Sequence, residues 1–316
     1  MKRCVQEAGH LIWAARITIV ATILVLVSLP LTLGAEHLRP ETLQAWNQYV
    51  QQVNARMEAR LQPGSGFLWI DESPGRQQVV RGGEILVAPV GEHCPKTVAN
   101  GLIHDWIAAA FLPDTTLADV LTVVRDYDRY PEFYKPYVMK AKPVSKEGEE
   151  DRFSMTLLNK SLFQRTALDN DYETTYFRPS PSRIYSVSHS TRVQEIDDLG
   201  RPTQHTMPVD TGNGYIWRLY SISRMEERDG GVYVELEAIV LSRDIPGAFR
   251  MFVDPIVRRV SKDAMITTLT QTSAAVHSSV ESAKRAKPSC ATETNVDCAH
   301  ARKISTESTF TARGAN

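Results

Sequence analysis

The sequence predicts an α+β fold in which a curved antiparallel seven-stranded sheet wraps round a long C-terminal helix, with short helices after the first strand. Three observations predict it. One strand pattern, "GLIHDWIAAAFLP", is separated by a helical break from six further ones. Those six follow one another at about residues 137–145, 151–159, 162–177, 182–196, 214–228 and 231–243, joined by turn chemistry such as "RPSPS" and "RDGG". A helical stripe then closes the pattern. Consecutive hairpins make an antiparallel sheet, and a terminal helix with one apolar face must bury that face against it. A space between the two is a candidate ligand cavity.

Residues 1–35 read as an address. Lys2, Arg3 and Arg16 precede the apolar run Ile17 to Gly34, and Thr32, Gly34 and Ala35 are small enough for signal peptidase. Both a cleaved secretory signal and an uncleaved membrane anchor fit a run of about 18 residues. Either way the remainder is expected to be exported, to the periplasm or the extracellular space. In such a compartment Cys290 and Cys298 can be bonded or free, and Cys94 is left as a small unpaired thiol.

Residues 36–100 read as an N-terminal extension. Leu43, Trp46, Val50, Val53, Met57 and Leu61 recur at helical spacing after Pro40, which a first helical turn tolerates. Glu41, Arg56, Glu58 and Arg60 mix signs on the polar face, so packing on the main domain is favoured over a membrane surface. "GSGFLWID" and "RQQVVRGGEILVAPV" read as short strands split by glycines and the Ser73-Pro74-Gly75 turn.

The main domain spans residues 101–281. After the strand ending at Pro113, Asp114 is expected to cap a helix with apolar Leu117, Val120, Leu121 and Val124. "RDYDRYPEFYKP" follows, where Pro131 should bend the chain and push Tyr130 towards an extended conformation. Tyr127, Tyr130, Phe133 and Tyr134 bring amphipathic rings to that bend, either to a cavity mouth or to a plugged core end. Asp197 to Gly214 is longer than a hairpin needs and reads as a flap or a surface loop.

A two-residue turn at Asp229-Gly230 sets the facing of the last hairpin. Trp217, Leu219, Ser221, Ser223 and Met225 then share an apolar face, with small gaps, with Val232, Val234, Leu236, Ala238 and Val240. The opposite face carries Tyr220, Ile222, Arg224, Tyr233, Glu235 and Glu237, with Arg224 opposite Glu235, and the N-terminal helix is its expected cover. Pro246-Gly247 ends the sheet, and a helix starting at Ser261 presents Met265, Leu269, Thr272, Val276 and Val280. Residues 282–316 lack periodicity and read as a disordered tail.

Little chemistry is legible. A formal net charge of -1 and the lack of a basic, aromatic-interleaved patch argue against nucleic acid. The eight histidines form no metal motif, no cofactor fingerprint is present, and no nucleophile elbow lies in the main domain. Glu235 and Glu237 share a strand face, as acid/base chemistry can use, and so does any solvated strand. His104 or Asp105 can orient a ligand or serve structure. "NKS" at Asn159 is a glycosylation sequon.

The element order, "VVRDYDRYPEFYKPYV" and "GGVYVELEAIVLSRDIP" together resemble the START-like, or SRPBCC helix-grip, superfamily, and within it the polyketide cyclase/dehydrase and lipid-transport branch. The resemblance covers about Gly101 to Val280. It implies a helix-grip fold with the tyrosine-rich segment closing one end of a cavity. The expected function is binding, and possible transport, of a lipid or isoprenoid without a cofactor. Its lining would be drawn from Trp106, Tyr130, Tyr134, Trp217, Leu219, Met225, Leu236, Met265 and Leu269. The alternatives are a cyclase or dehydratase with His104, Asp105 or Glu235 in the cavity, and an envelope interaction module whose cavity is filled by its own side chains.

Overall fold

The computed structural model describes residues 36–160, 165–245 and 247–286. The signal or anchor, Ser161 of the sequon, Cys4, Cys290, Cys298 and most of the tail lie outside the described residues. No described helix is long and apolar enough to cross a membrane.

In chain order the elements are β1 (Glu36–His37), α1 (Pro40–Arg60), a 3-10 turn (Trp69–Glu72), α2 (Pro74–Arg81), β2 (Leu86–Pro89), β3 (Lys96–Val98), β4 (Gly101–Pro113) and α3 (Leu117–Val124). A 3-10 turn (Tyr127–Arg129) and α4 (Tyr130–Phe133) lead into β5 (Val138–Glu147), β6 (Glu150–Lys160), β7 (Arg165–Ser180) and β8 (Arg183–Asp197). Then come β9 (His205–Thr206), β10 (Thr211–Gly212), β11 (Arg218–Arg228), β12 (Gly231–Arg243) and α5 (Gly247–Ala286).

The sheet order is β2-β4-β12-β11-β8-β7-β6-β5, and all of its pairings are antiparallel. Seven of these strands are the expected long ones; β2, β3 and β9 add short edges. The first long strand, β4, pairs with the last, β12, over its whole length, from Gly101↔Arg243 to Pro113↔Gly231. Asp229 and Gly230 both have positive φ, 56° and 81°, which is the two-residue turn that matches strand twist. Arg224 accordingly faces Glu235. Gly231 is required by close approach: a Cβ there would meet the Leu112 carbonyl at 2.2 Å.

Each sheet face has its own cover. α5 lies on one face, where Met265, Leu269, Ala275 and Val276 pack on Trp106, Ala108, Ala110 and Leu112 of β4. The alanines let the helix approach that edge of the sheet closely. α1 covers the other face, burying Trp46, Tyr49, Val53 and Met57 against Ile103, Ile222, Tyr233 and Ile239. Each such side chain contributes about 1.5–3 kcal/mol on burial, so α1 is an integral layer.

Several local expectations are corrected. "RQQVV" forms helix α2, because Ser73 and Pro74 supply a helix start rather than a strand break. Trp69–Glu72, within the expected first strand, is a 3-10 turn, held because the Glu235 carboxylate accepts from the amides of Trp69 and Ile70, each at 2.9 Å. Thr116, not Asp114, caps α3: its hydroxyl accepts from the Asp119 amide while Asp119 accepts from the Thr116 amide. Tyr130 is helical at φ -55°, ψ -39°, because Pro131 occupies a first turn, where its fixed φ is welcome. α5 starts at Gly247, ahead of the expected Ser261, since "RMFVDPIVRRV" continues the helix through Pro255.

Candidate functional site: a cavity between sheet and helix

α5 packs closely only at the β4 edge of the sheet. Over β6, β7, β8 and β11 the curved sheet and the helix part, leaving a cavity of about 690 Å³. Its floor comes from alternate residues of the strands, its roof from α5 between Val260 and Thr272, and one end from the tyrosine-rich segment.

That segment is tied down at both edges. Tyr127 is buried and its ring stacks on Phe153 at 4.1 Å, which in turn stacks on Tyr172 at 5.0 Å. The Tyr127 hydroxyl donates to Asp151 at 2.9 Å, and Arg125 grips the same carboxylate through Nε and a terminal nitrogen at 2.9 and 2.6 Å. Tyr130 donates to the Val124 carbonyl at 2.5 Å. On the helix side, the Tyr134 and Thr272 hydroxyls are 3.1 Å apart and Gln271 donates to the Lys135 carbonyl at 2.5 Å. The segment thus bridges the sheet edge and α5, with its rings turned inward.

Burial raises the phenols of Tyr127, Tyr130 and Tyr134 and pushes Tyr176 up to about 12, so all four stay neutral donors near neutral pH. Burial also pushes the His104 imidazole down to about 4; its Nε2 lies 3.0 Å from the Ser242 hydroxyl. Asp105 and Glu235 belong to the other face. Asp105 accepts from Tyr49 at 2.7 Å and from Arg56 at 3.1 Å, and Arg224, 1% exposed, pairs with both Glu235 and Glu237. Burial and the Glu237 charge push the Asp105 carboxyl up to about 7. Asp105 and Glu237 hold α1 to the sheet through Tyr49 and Arg56, Glu235 holds the Trp69–Glu72 turn, and none of the three lines the cavity. Cys94 is a buried free thiol, 3.4 Å from the Asp105 carbonyl.

Six of the nine residues expected to line the cavity do so: Tyr130, Tyr134, Leu219, Met225, Leu236 and Leu269. Three are placed elsewhere. Trp106 and Met265 belong to the closely packed helix-sheet contact, where α5 meets the alanines of β4 and leaves no gap. Trp217 lies under α1 on the opposite face. It precedes β11, so strand alternation does not govern it, and its ring packs against Gly214, where a Cβ would come within 2.7 Å. Phe153, Met155, Leu168 and Tyr172 also line the cavity, on its far wall, and were not expected there. Their alternation along β6 and β7 carried that signal, but no turn as strict as Asp229-Gly230 fixes which face is inward.

Sheet, clasped helix and intervening cavity define a helix-grip fold. No family model and no curated protein matches the chain. Among solved structures it is similar to a STAR-related lipid transfer protein fragment from Xanthomonas axonopodis, at 15% identity over 60% of this chain and 98% of that one, with a TM-score of 0.39. Human STARD10 is similar at 10% identity over 72% of this chain and 88% of that one, TM-score 0.42. The Zhui aromatase/cyclase from Streptomyces sp. R1128 is similar at 10% identity over 56% and 96%, TM-score 0.36.

Proposed function

We propose that this chain binds a hydrophobic small molecule between its sheet and α5, outside the cytoplasm, and acts as its carrier or sensor. The observation that supports this most is the cavity itself. At about 690 Å³ it lies within the usual range for small-molecule sites, and rings and aliphatic side chains make up most of its wall. Affinity would come chiefly from burying hydrocarbon, at about 25 cal/mol per Å². The apolar run Ile17 to Gly34 supports export. Exposed Met251, Ile256 and Val260 on the first half of α5, beside Arg258 and Arg259, support a membrane surface as the place of exchange.

Native mass spectrometry with organic extraction, on protein purified from its own host, tests the reading. A stoichiometric apolar molecule is the expected result. Protein that carries none and also rejects added lipids would remove the carrier reading. The mass of the same preparation reports whether residues 1–35 have been cleaved.

A further inference from the structure

The middle of the cavity floor is not hydrocarbon. Ser186 and Ser188 on β8 lie opposite Ser223 and Ser221 on β11, so four serines form two adjacent cross-strand pairs, all lining the cavity. β7 extends both rows, with Thr174 opposite Ser188 and Tyr176 opposite Ser186. Above and below lie rows of rings and aliphatic side chains: Phe153 and Tyr172 with Leu219 on one side, Met225 and Val234 on the other.

These hydroxyls differ from two on the helical roof. On α5, Thr268 and Thr272 donate to carbonyls one turn back, at 2.9 Å each, and so are satisfied within the helix. On the floor, Thr174 donates to Ser188 at 2.8 Å, which leaves the Ser188 proton free to donate. Among the described residues Ser186, Ser221 and Ser223 have no side-chain hydrogen bond, and Ser186 is only 7% exposed. Ser188, Ser221 and Ser223 are half-buried, and the unpaired hydroxyls open onto the cavity space, where a ligand oxygen can meet them; an alanine or valine would present only hydrocarbon from the same strand positions.

Charge narrows what can answer them. Among the described residues that line the cavity there is no lysine, arginine or histidine, and the one carboxylate, Asp263, is exposed on α5. Arg125 is committed to Asp151. An anionic group drawn onto the floor would lose its hydration with no cation to replace it. Hydroxyls, which both donate and accept, suit an uncharged oxygen instead.

We propose that the serine quartet is a polar reader in the cavity floor that selects uncharged ligands carrying a carbonyl or hydroxyl oxygen at mid-body, over pure hydrocarbons and over anions. This rests on the cavity reading above and narrows it to a ligand class. Three probes share one three-ring skeleton and differ only at its centre: fluorene, fluorenone and fluorene-9-carboxylate. Their affinities for the full chain are measured at pH 8 by displacement of Nile red, a neutral dye.

Fluorenone is expected to bind about fivefold or more tighter than fluorene, the worth of roughly one hydrogen bond, and the carboxylate weakest. The double variants Ser186→Ala/Ser223→Ala and Ser188→Ala/Ser221→Ala should bring fluorenone down to fluorene while fluorene binds as well or better. Thermal melts establish that both variants fold. Equal binding of fluorenone and fluorene by the wild type, or a preference that survives in both variants, overturns the reader while leaving the cavity reading intact. Failure of Nile red and all three probes to bind overturns both.

Discussion

Asp105 sits beneath α1, 2% exposed, between Tyr49, Arg56 and Glu237. A free aspartate titrates near pH ~4, whereas burial and Glu237 push this one up to about 7. Between those values the folded chain holds a proton that the unfolded chain has released. The contribution is therefore full below about pH 4 and is lost as pH rises through 7, so stability falls in that direction. Asp105→Asn should flatten this dependence and raise stability at pH 8 by something on the order of 2 kcal/mol. Urea titrations of both proteins at pH 5 and 8 test it, and identical pH slopes would sink the assignment. Asp151, fully buried and gripped by Arg125 and Tyr127, makes a second case. Asp151→Ala strands both partners and should cost about 3 kcal/mol in the same assay, with Asp151→Asn costing less. Neither aspartate's role was legible from local sequence. Asp105 read as a member of an alternating strand, and only α1, some 50 residues earlier in the chain, makes it a buried partner of Tyr49 and Arg56.

Among the elements, α3 illustrates a local signal that was present but misassigned. Thr116 and Asp119 have capping-box spacing directly at the start of α3, whereas Asp114, the expected cap, lies two residues too early to reach its first amides. Thr116→Ala should cost about 1 kcal/mol on thermal denaturation, and Asp114→Ala should not act through capping. α2 and the Trp69–Glu72 turn escaped for a different reason. They are short, and the turn is completed by Glu235, a residue about 165 positions away, whose carboxylate no local pattern can foresee. The β11-β12 hairpin lies at the other extreme, because two positive-φ residues at Asp229-Gly230 set its register and hence the faces of Leu219, Met225 and Leu236. α1 is legible both as amphipathic and as the cover of the outer face of the last hairpin, where it packs on Tyr220, Ile222 and Tyr233. Trp46→Ala, which removes a ring buried against the outer face, should cost about 3–5 kcal/mol, measured by chemical denaturation.

For the whole molecule, the cavity exists because a curved sheet meets the long helix α5 along one edge only. Filling it separates binding from folding. Ala238→Phe projects a ring into the space from β12, beside the serine quartet, and should weaken Nile red binding at least tenfold while the melting temperature changes little. Unchanged dye binding would place the dye elsewhere. The sequence by itself determined the seven long strands, their antiparallel order, the final helix and the inward face of the last hairpin, because period-two and period-3.6 patterns and turn residues act over a few positions. Tertiary structure alone decided the rest: that Trp217 turns under α1, that Trp106 and Met265 close the helix-sheet contact, and that four serines from two strands converge in the floor. Each depends on residues distant in the chain being brought together. Packing and register, which arise only when all the layers are assembled, determine which of two chemically similar apolar residues meets a neighbour and which meets open space.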